Sequence, residues 1–216
     1  MEEYFDSVVK LFIPENLIKI GGLGLLLFIV FAETGLFIGF FLPGDSLLFT
    51  AGLLCSTKVL PVHIVTLMLG LNLAAILGNI TGYLFGKRVG PKLFNRDDSF
   101  IFKKRYVAIT KSFYDRHGGK ALIIGRFLPI IRTFAPILSG VIELKFKVFF
   151  AYTVIGSILW TSAMTLSAYF LAKLFPTLKD HLGLVVVFLI IITAIPVLTT
   201  YLKERKREKV IPPKES

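Results

Sequence analysis

Cysteine is nearly missing from this chain. Cys55 stands alone, so there is no intramolecular disulfide and no cysteine metal cluster. Histidine is almost as scarce, and His63, His117 and His181 are scattered without ligand spacing. Catalytic metal chemistry finds no support in that pattern, so no metal and no cofactor is expected. No Ser-His or Cys-His arrangement of nucleophile and base is apparent. His117 sits beside Arg116 in a polar stretch, away from the apolar segments. An enzyme acting on lipid phosphates is therefore not expected. Acids are outnumbered, 14 against 25 Lys and Arg, for a net charge of +11. The N-terminus MEEYFDSVVK is itself acidic and lacks the basic start of a cleavable signal.

What is abundant is apolar surface: 55% hydrophobic residues, 21 of them Phe, and a mean hydropathy of +0.75. Soluble domains do not have this composition, and apolar runs of about 20 residues mean membrane spans. The basic residues concentrate at 87–120 and 203–214, flanking the apolar segments as topology signals and attracting anionic lipid headgroups. Within 87–120, ten Lys or Arg and three Asp interleave with Phe94, Phe100, Phe102, Tyr106, Phe113 and Tyr114. Beside membrane spans this reads as amphipathic helices on the membrane surface, and no nucleic-acid partner is expected.

The chain is organised around Gly125–Gly140, GRFLPIIRTFAPILSG, where Arg126, Arg132, Pro129 and Pro136 interrupt an apolar run. An arginine at bilayer depth costs roughly 2.5–3.5 kcal/mol on insertion scales and is seldom there without a partner or a wet cavity. Each proline removes a backbone donor and argues against one continuous span. An altered second copy lies earlier: Gly39–Gly52 reads GFFLPGDSLLFTAG, with Glu33 just ahead, Asp45 inside, and the turn Pro43-Gly44. Paired Gly/Pro-interrupted apolar segments in corresponding halves point to a transporter site at the interface of an internal repeat.

In chain order, 1–16 is an N-terminal interfacial segment, ending as a short amphipathic helix near Pro14. A single membrane domain covers 17–202: a first half 17–86, a basic amphipathic linker 87–120 and a second half 121–202. A basic tail, 203–216, follows. Val59–Gly86 is uncharged and long enough to cross, with Gly70, Gly78, Gly82 and Gly86 spaced for close helix packing. Val148–Ala172 and Leu182–Leu202 are two further spans. If positive segments are cytoplasmic, the linker and the tail share a side. Three crossings between them would separate those two segments, so 121–142 is expected to dip in and return. The first hairpin then opens to the opposite face. The expected fold is all-α, with two oppositely oriented re-entrant hairpins and three to four full spans.

Two acids in one hairpin and two arginines in the other imply a shared cavity. Any acid could face either arginine. Arginine offers a fixed fork of donors suited to phosphate and stays charged, so Arg126 and Arg132 are the candidates for holding an anionic headgroup. Burial disfavours the charged form of a carboxylate, so Glu33 and Asp45 are candidates for proton coupling. A headgroup competing with them for the arginines would link proton and substrate movement. The plainer alternatives are an ion-pair tie between the halves, an N-cap role for Asp45 and interfacial snorkelling of Arg126.

These residues resemble the DedA family of membrane proteins, which carry the VTT or SNARE-associated domain. The likeness rests on Glu33-Thr-Gly-Leu, Pro43-Gly44-Asp45, Ala51-Gly52 and Gly78-Asn-x-x-Gly-Tyr83-x-x-Gly86-Lys. It continues in Gly125-Arg-Phe-x-Pro-x-x-Arg132-Thr-Phe-Ala-Pro136, Ser139-Gly140, and Gly156 with Trp160. The resemblance spans roughly 17–172 and implies Glu33, Asp45, Arg126 and Arg132 as functional residues. It also implies lipid movement between leaflets, notably of undecaprenyl phosphate across the bacterial inner membrane with the proton gradient involved. Some such proteins are tied to phosphatidylethanolamine or to small-cation and drug tolerance. Asn79 departs from the Asp that many of them carry. The expected partners are a lipid phosphate substrate and anionic membrane lipids, with the working unit a monomer or homodimer. A phospholipid flippase or scramblase, or a proton-coupled small-cation antiporter, is the alternative.

Overall fold

A computed structural model describes residues 14–36, 44–94, 114, 120–126 and 129–175, and among these the only regular elements are helices. They are α1 (Pro14–Gly35), α2 (Gly44–Ser56), α3 (Ile64–Phe94), α4 (Lys120–Gly125), α5 (Pro129–Val141) and α6 (Phe146–Leu174). Pro43, residues 1–13, most of the basic linker, the apolar run 182–202 and the tail lie outside the described residues.

Two stretches are long and apolar enough to cross a membrane, Ile64–Gly90 and Phe146–Leu174. Only 28% and 33% of their most apolar windows is buried inside the protein, so neither is the core helix of a soluble domain. Leu69, Leu73, Leu84, Phe150 and Phe170 point outward, where hydrocarbon rather than water suits them. α2 and α5 have 13 residues each, about 20 Å of helix at 1.5 Å per residue, against a hydrocarbon core of about 30 Å.

Local chemistry accounts for the helix ends. Pro14 and Pro129 both occupy the first position of a helix, where a missing N–H costs nothing. α1 kinks at Gly22, whose φ of 56° and ψ of −151° are open to glycine alone among common residues. Pro136 lies inside α5 without ending it. The expectation that both prolines would break the backbone holds only near Pro129. Pro136 instead deprives the Arg132 carbonyl of the N–H that would normally bond it. α3 runs through Lys87 and Arg88 to Phe94, past the point where its uncharged stretch ends.

The packing is crosswise. α2 lies along α6, and α5 lies along α3, so each short helix rests on the long helix of the other half. α1 packs on α3 as α4 does on α6, and the two long helices touch. The glycine face of α3 allows this: a Cβ at Gly78 would collide with Thr34 and the Phe31 carbonyl, and one at Gly86 with the Ile137 carbonyl. Small residues let backbones close in this way where lipid supplies no hydrophobic drive. The main core joins α1, α2, α3 and α6 through Leu26, Val30, Leu47, Leu48, Leu67, Leu71 and Trp160. A second cluster gathers Tyr83, Tyr114, Leu122, Ala135 and Phe149.

Candidate functional site: a four-charge cluster between the halves

Where α1, α2, α5 and α6 meet, three of the four charged candidates join directly. Arg132 on α5 is 5% exposed and Glu33 on α1 is 3% exposed. Arg132 Nη2 donates to Glu33 Oε1 at 2.6 Å, and Nη1 donates to Asp45 Oδ1 at 2.5 Å. The Trp160 indole donates to the same Asp45 oxygen at 3.0 Å, and its ring lies 4.3 Å from the Arg132 guanidinium carbon. Arg132 is thus held by two carboxylates and an aromatic face, a combination that its planar fork fits and a lysine ammonium does not.

The open question of which acid faces which arginine is answered: both acids face Arg132. Arg126, in the turn after α4, is 4% exposed. Its Nη1 is buried without a hydrogen-bond partner, and no carboxylate pairs with it among the described residues. It does not snorkel outward. Its side chain runs against Gly156, where a Cβ would clash with its Cδ and Nε. A small cavity of about 10 Å³ is lined by Arg126, Arg132, Asn79, Leu122, Pro136 and Thr153, room for on the order of one water. Glu33 Oε2 and Arg132 Nε are also buried without partners.

The turn residues serve these contacts. Asp45 lies in the first turn of α2, and its carboxylate is spent on Arg132 and Trp160. Gly44 gives room to the Glu33 carboxylate, which a Cβ there would strike. The side chain of Pro129 and all of Pro43 lie outside what is described. Among the described residues no group of three His, Cys, Asp or Glu is placed to hold a metal.

Tyr114 of the polar linker reaches this region. Tyr114 is buried and bonds Ser139 at 2.8 Å, while Ser139 gives its own proton to the Ala135 carbonyl at 2.6 Å. Tyr114 is therefore the donor. Burial pushes its hydroxyl up to about 12, so it remains one. Sequence reasoning did not single out this bond, the Trp160–Asp45 bond or the place of Thr153 in the cavity wall. A tryptophan or threonine in an apolar span carries no local mark of its partner.

This arrangement defines an integral membrane protein with a charged site enclosed by apolar helices, and the comparisons agree with it. Residues 42–170 match the VTT domain. The chain is 41% identical over 172 residues to Protein DedA of Escherichia coli K12, covering 80% of this chain and 78% of that protein. It is 39% identical over 175 residues to an uncharacterized membrane protein of Mycobacterium tuberculosis H37Rv, covering 81% and 76%. It is 34% identical over 163 residues to Inner membrane protein YghB of Escherichia coli K12, covering 76% and 73%. No solved structure matches the chain. The chain belongs to the DedA family of membrane proteins.

Proposed function

We propose that this protein is a transporter that moves an anionic isoprenoid lipid phosphate between leaflets, with undecaprenyl phosphate the favoured cargo on family resemblance. The observation that carries the reading is Arg126, whose buried Nη1 has no hydrogen-bond partner and which pairs with no acid among the described residues, in a cavity wall that it shares with Arg132. A buried cation without a counter-ion is strongly unfavourable, and an incoming phosphate supplies that counter-ion together with acceptor oxygens. The four charges sum to zero when all are ionised. A proton on one acid leaves the cluster at +1, so a proton and an anion enter together without net cost in charge. Glu33 Oε2, unpartnered in the described conformation, is the atom that accepts that proton.

The cavity as it stands holds a water-sized group, so a headgroup enters only after α4–α5 and α6 part. Two short helices, each under-length for a crossing and each resting on the other half's long helix, support two re-entrant hairpins related as an inverted repeat. Charge bias supports a cytoplasmic linker and tail in a bacterial plasma membrane. The alternatives are a phospholipid flippase and a small-cation antiporter. An unpaired arginine in the cavity disfavours a cation there.

The test is leaflet exchange by purified protein in liposomes, comparing undecaprenyl phosphate, undecaprenol and phosphatidylethanolamine. Exchange of the phosphate but not of the alcohol is expected. Equal exchange of all three would sink phosphate recognition. Proton-dependent sodium or potassium flux without lipid exchange would establish the antiporter.

A further inference from the structure

Thr153 in the wall of the arginine cavity is the first of a row of hydroxyls that the site does not use. Thr153, Ser157, Thr161 and Thr165 recur every fourth residue on α6, and all four are at most 1% exposed. Four-residue spacing keeps them on one helix face, along roughly 18 Å of axis. Thr153 stands in the wall of the arginine cavity. Trp160, one residue before Thr161, bonds Asp45. The row therefore begins at the charged cluster and leads toward the Leu174 end of α6.

Helix packing alone asks for small side chains in such a row, not for free hydroxyls. A threonine or serine in an apolar helix ordinarily satisfies itself on the carbonyl one turn back, as Thr161 does on Ser157. Ser157 Oγ and Thr165 Oγ1 do not: both are buried with no hydrogen-bond partner. Thr50 Oγ1 is in the same condition, on α2, which lies along α6 with Gly52 against the Thr165 carbonyl. The single Thr161 hydroxyl proton lies within reach of two acceptors, the Ser157 carbonyl at 2.9 Å and Asn72 Oδ1 of α3 at 2.8 Å. Three unsatisfied hydroxyls in one seam is a high count for a buried interface, and each calls for a water.

We propose that this seam is a hydrated proton path. Waters held by Thr50, Ser157, Thr161, Thr165 and Asn72 lead from the Glu33–Asp45–Arg132 cluster along α6 as far as Thr165, in the direction of its Leu174 end. The charged groups at its inner end are Glu33 from α1, Asp45 from α2 and Arg132 from α5, with Arg126 beyond them. α3 contributes the uncharged Asn72 and Asn79. A hydronium at the inner end gives its proton to a carboxylate, leaving water and a neutral carboxyl, and release reverses the step. Arg132 and Arg126 hold hydronium off the rest of the cavity by repulsion. The path rests on the reading of the two acids as proton acceptors, and it assigns them a route separate from the opening that the lipid headgroup uses.

The experiment measures proton entry into liposomes that contain undecaprenyl phosphate and hold a pH-sensitive dye, with potassium and valinomycin clamping the voltage. Wild-type protein is compared with Ser157→Ala/Thr161→Val/Thr165→Val and with the hydroxyl-keeping Ser157→Thr/Thr161→Ser/Thr165→Ser. Binding of undecaprenyl phosphate at one fixed pH is measured on the same preparations, each checked for folding by its thermal melt. Wild type is expected to speed proton entry above protein-free liposomes. The hydroxyl-less variant should lose about tenfold of that rate, as expected when hydrogen-bonded links in a path are removed. The hydroxyl-keeping variant should stay near wild type, and lipid binding should be the same in all three. Proton entry equal in all three proteins overturns the path. So does its loss in both variants, which would mean packing, or a wild type no faster than bare liposomes. Failure of the lipid to bind to any of them would count against the cargo alone.

Discussion

Arg132 and Arg126 belong to one motif and stand in one cavity wall, yet their surroundings are opposite. Arg132 has two carboxylates and an indole face, each a direct contact. Arg126 has the backbone of Gly156 and an unsatisfied Nη1. Arg132 meets two carboxylates within the protein, while among the described residues no carboxylate pairs with Arg126. The difference teaches that equally buried cations need not share a role. A paired cation fixes the halves together, and an unpaired one stores the unfavourable energy that a ligand relieves.

The contrast gives the two arginines opposite effects on stability. Arg132→Ala leaves the buried Glu33 and the partly exposed Asp45 without a cation, which costs about 3–5 kcal/mol. A large fall in the detergent melting temperature and loss of exchange are expected, and Arg132→Lys should rescue neither fully. Arg126→Met removes an uncompensated charge while keeping apolar length. Its melting temperature should equal or exceed wild type, while exchange of the lipid phosphate falls about tenfold to a hundredfold, the worth of a charge-assisted hydrogen bond. A melt that drops as far as that of Arg132→Ala would erase the distinction.

Asn79→Asp sharpens the same comparison from the cavity side. Asn79 is 2% exposed and lines the wall with both arginines, so a carboxylate there would supply Arg126 with a permanent partner. The melting temperature should rise and affinity for the lipid phosphate should fall. Glu33→Gln should leave exchange present but with a flattened response to pH, because the proton acceptor is gone while both arginines remain. The smallest effect is expected from Trp160→Phe. It deletes the 3.0 Å bond to Asp45 and keeps an aromatic face for Arg132, costing about 1 kcal/mol in thermal stability.

These expectations rest partly on what sequence could reveal and partly on what it could not. Glu33, Asp45, Arg126 and Arg132 were legible because ionisable groups in apolar runs are costly and therefore conspicuous. The short arms were legible because their length underfills a bilayer. The pairing was not, since it depends on where α5 settles against α1 and α2, contacts made across 87 and 99 residues of chain. Pro136 looked like a break and is not one, because an interior proline costs a helix one bond and the neighbouring turns can hold it. Lys87 and Arg88 mark the end of the apolar stretch but not of the helix. The hydroxyl row of α6 was present in the sequence at every fourth position. Its unsatisfied state is a property of packing alone.

The most direct test is leaflet exchange of undecaprenyl phosphate by purified Arg126→Gln in liposomes, beside wild type at one pH, with the melting temperature of each recorded. Exchange lost in a protein that melts no lower than wild type is the expected result. Exchange retained at the wild-type rate would contradict Arg126 as the open position for the phosphate.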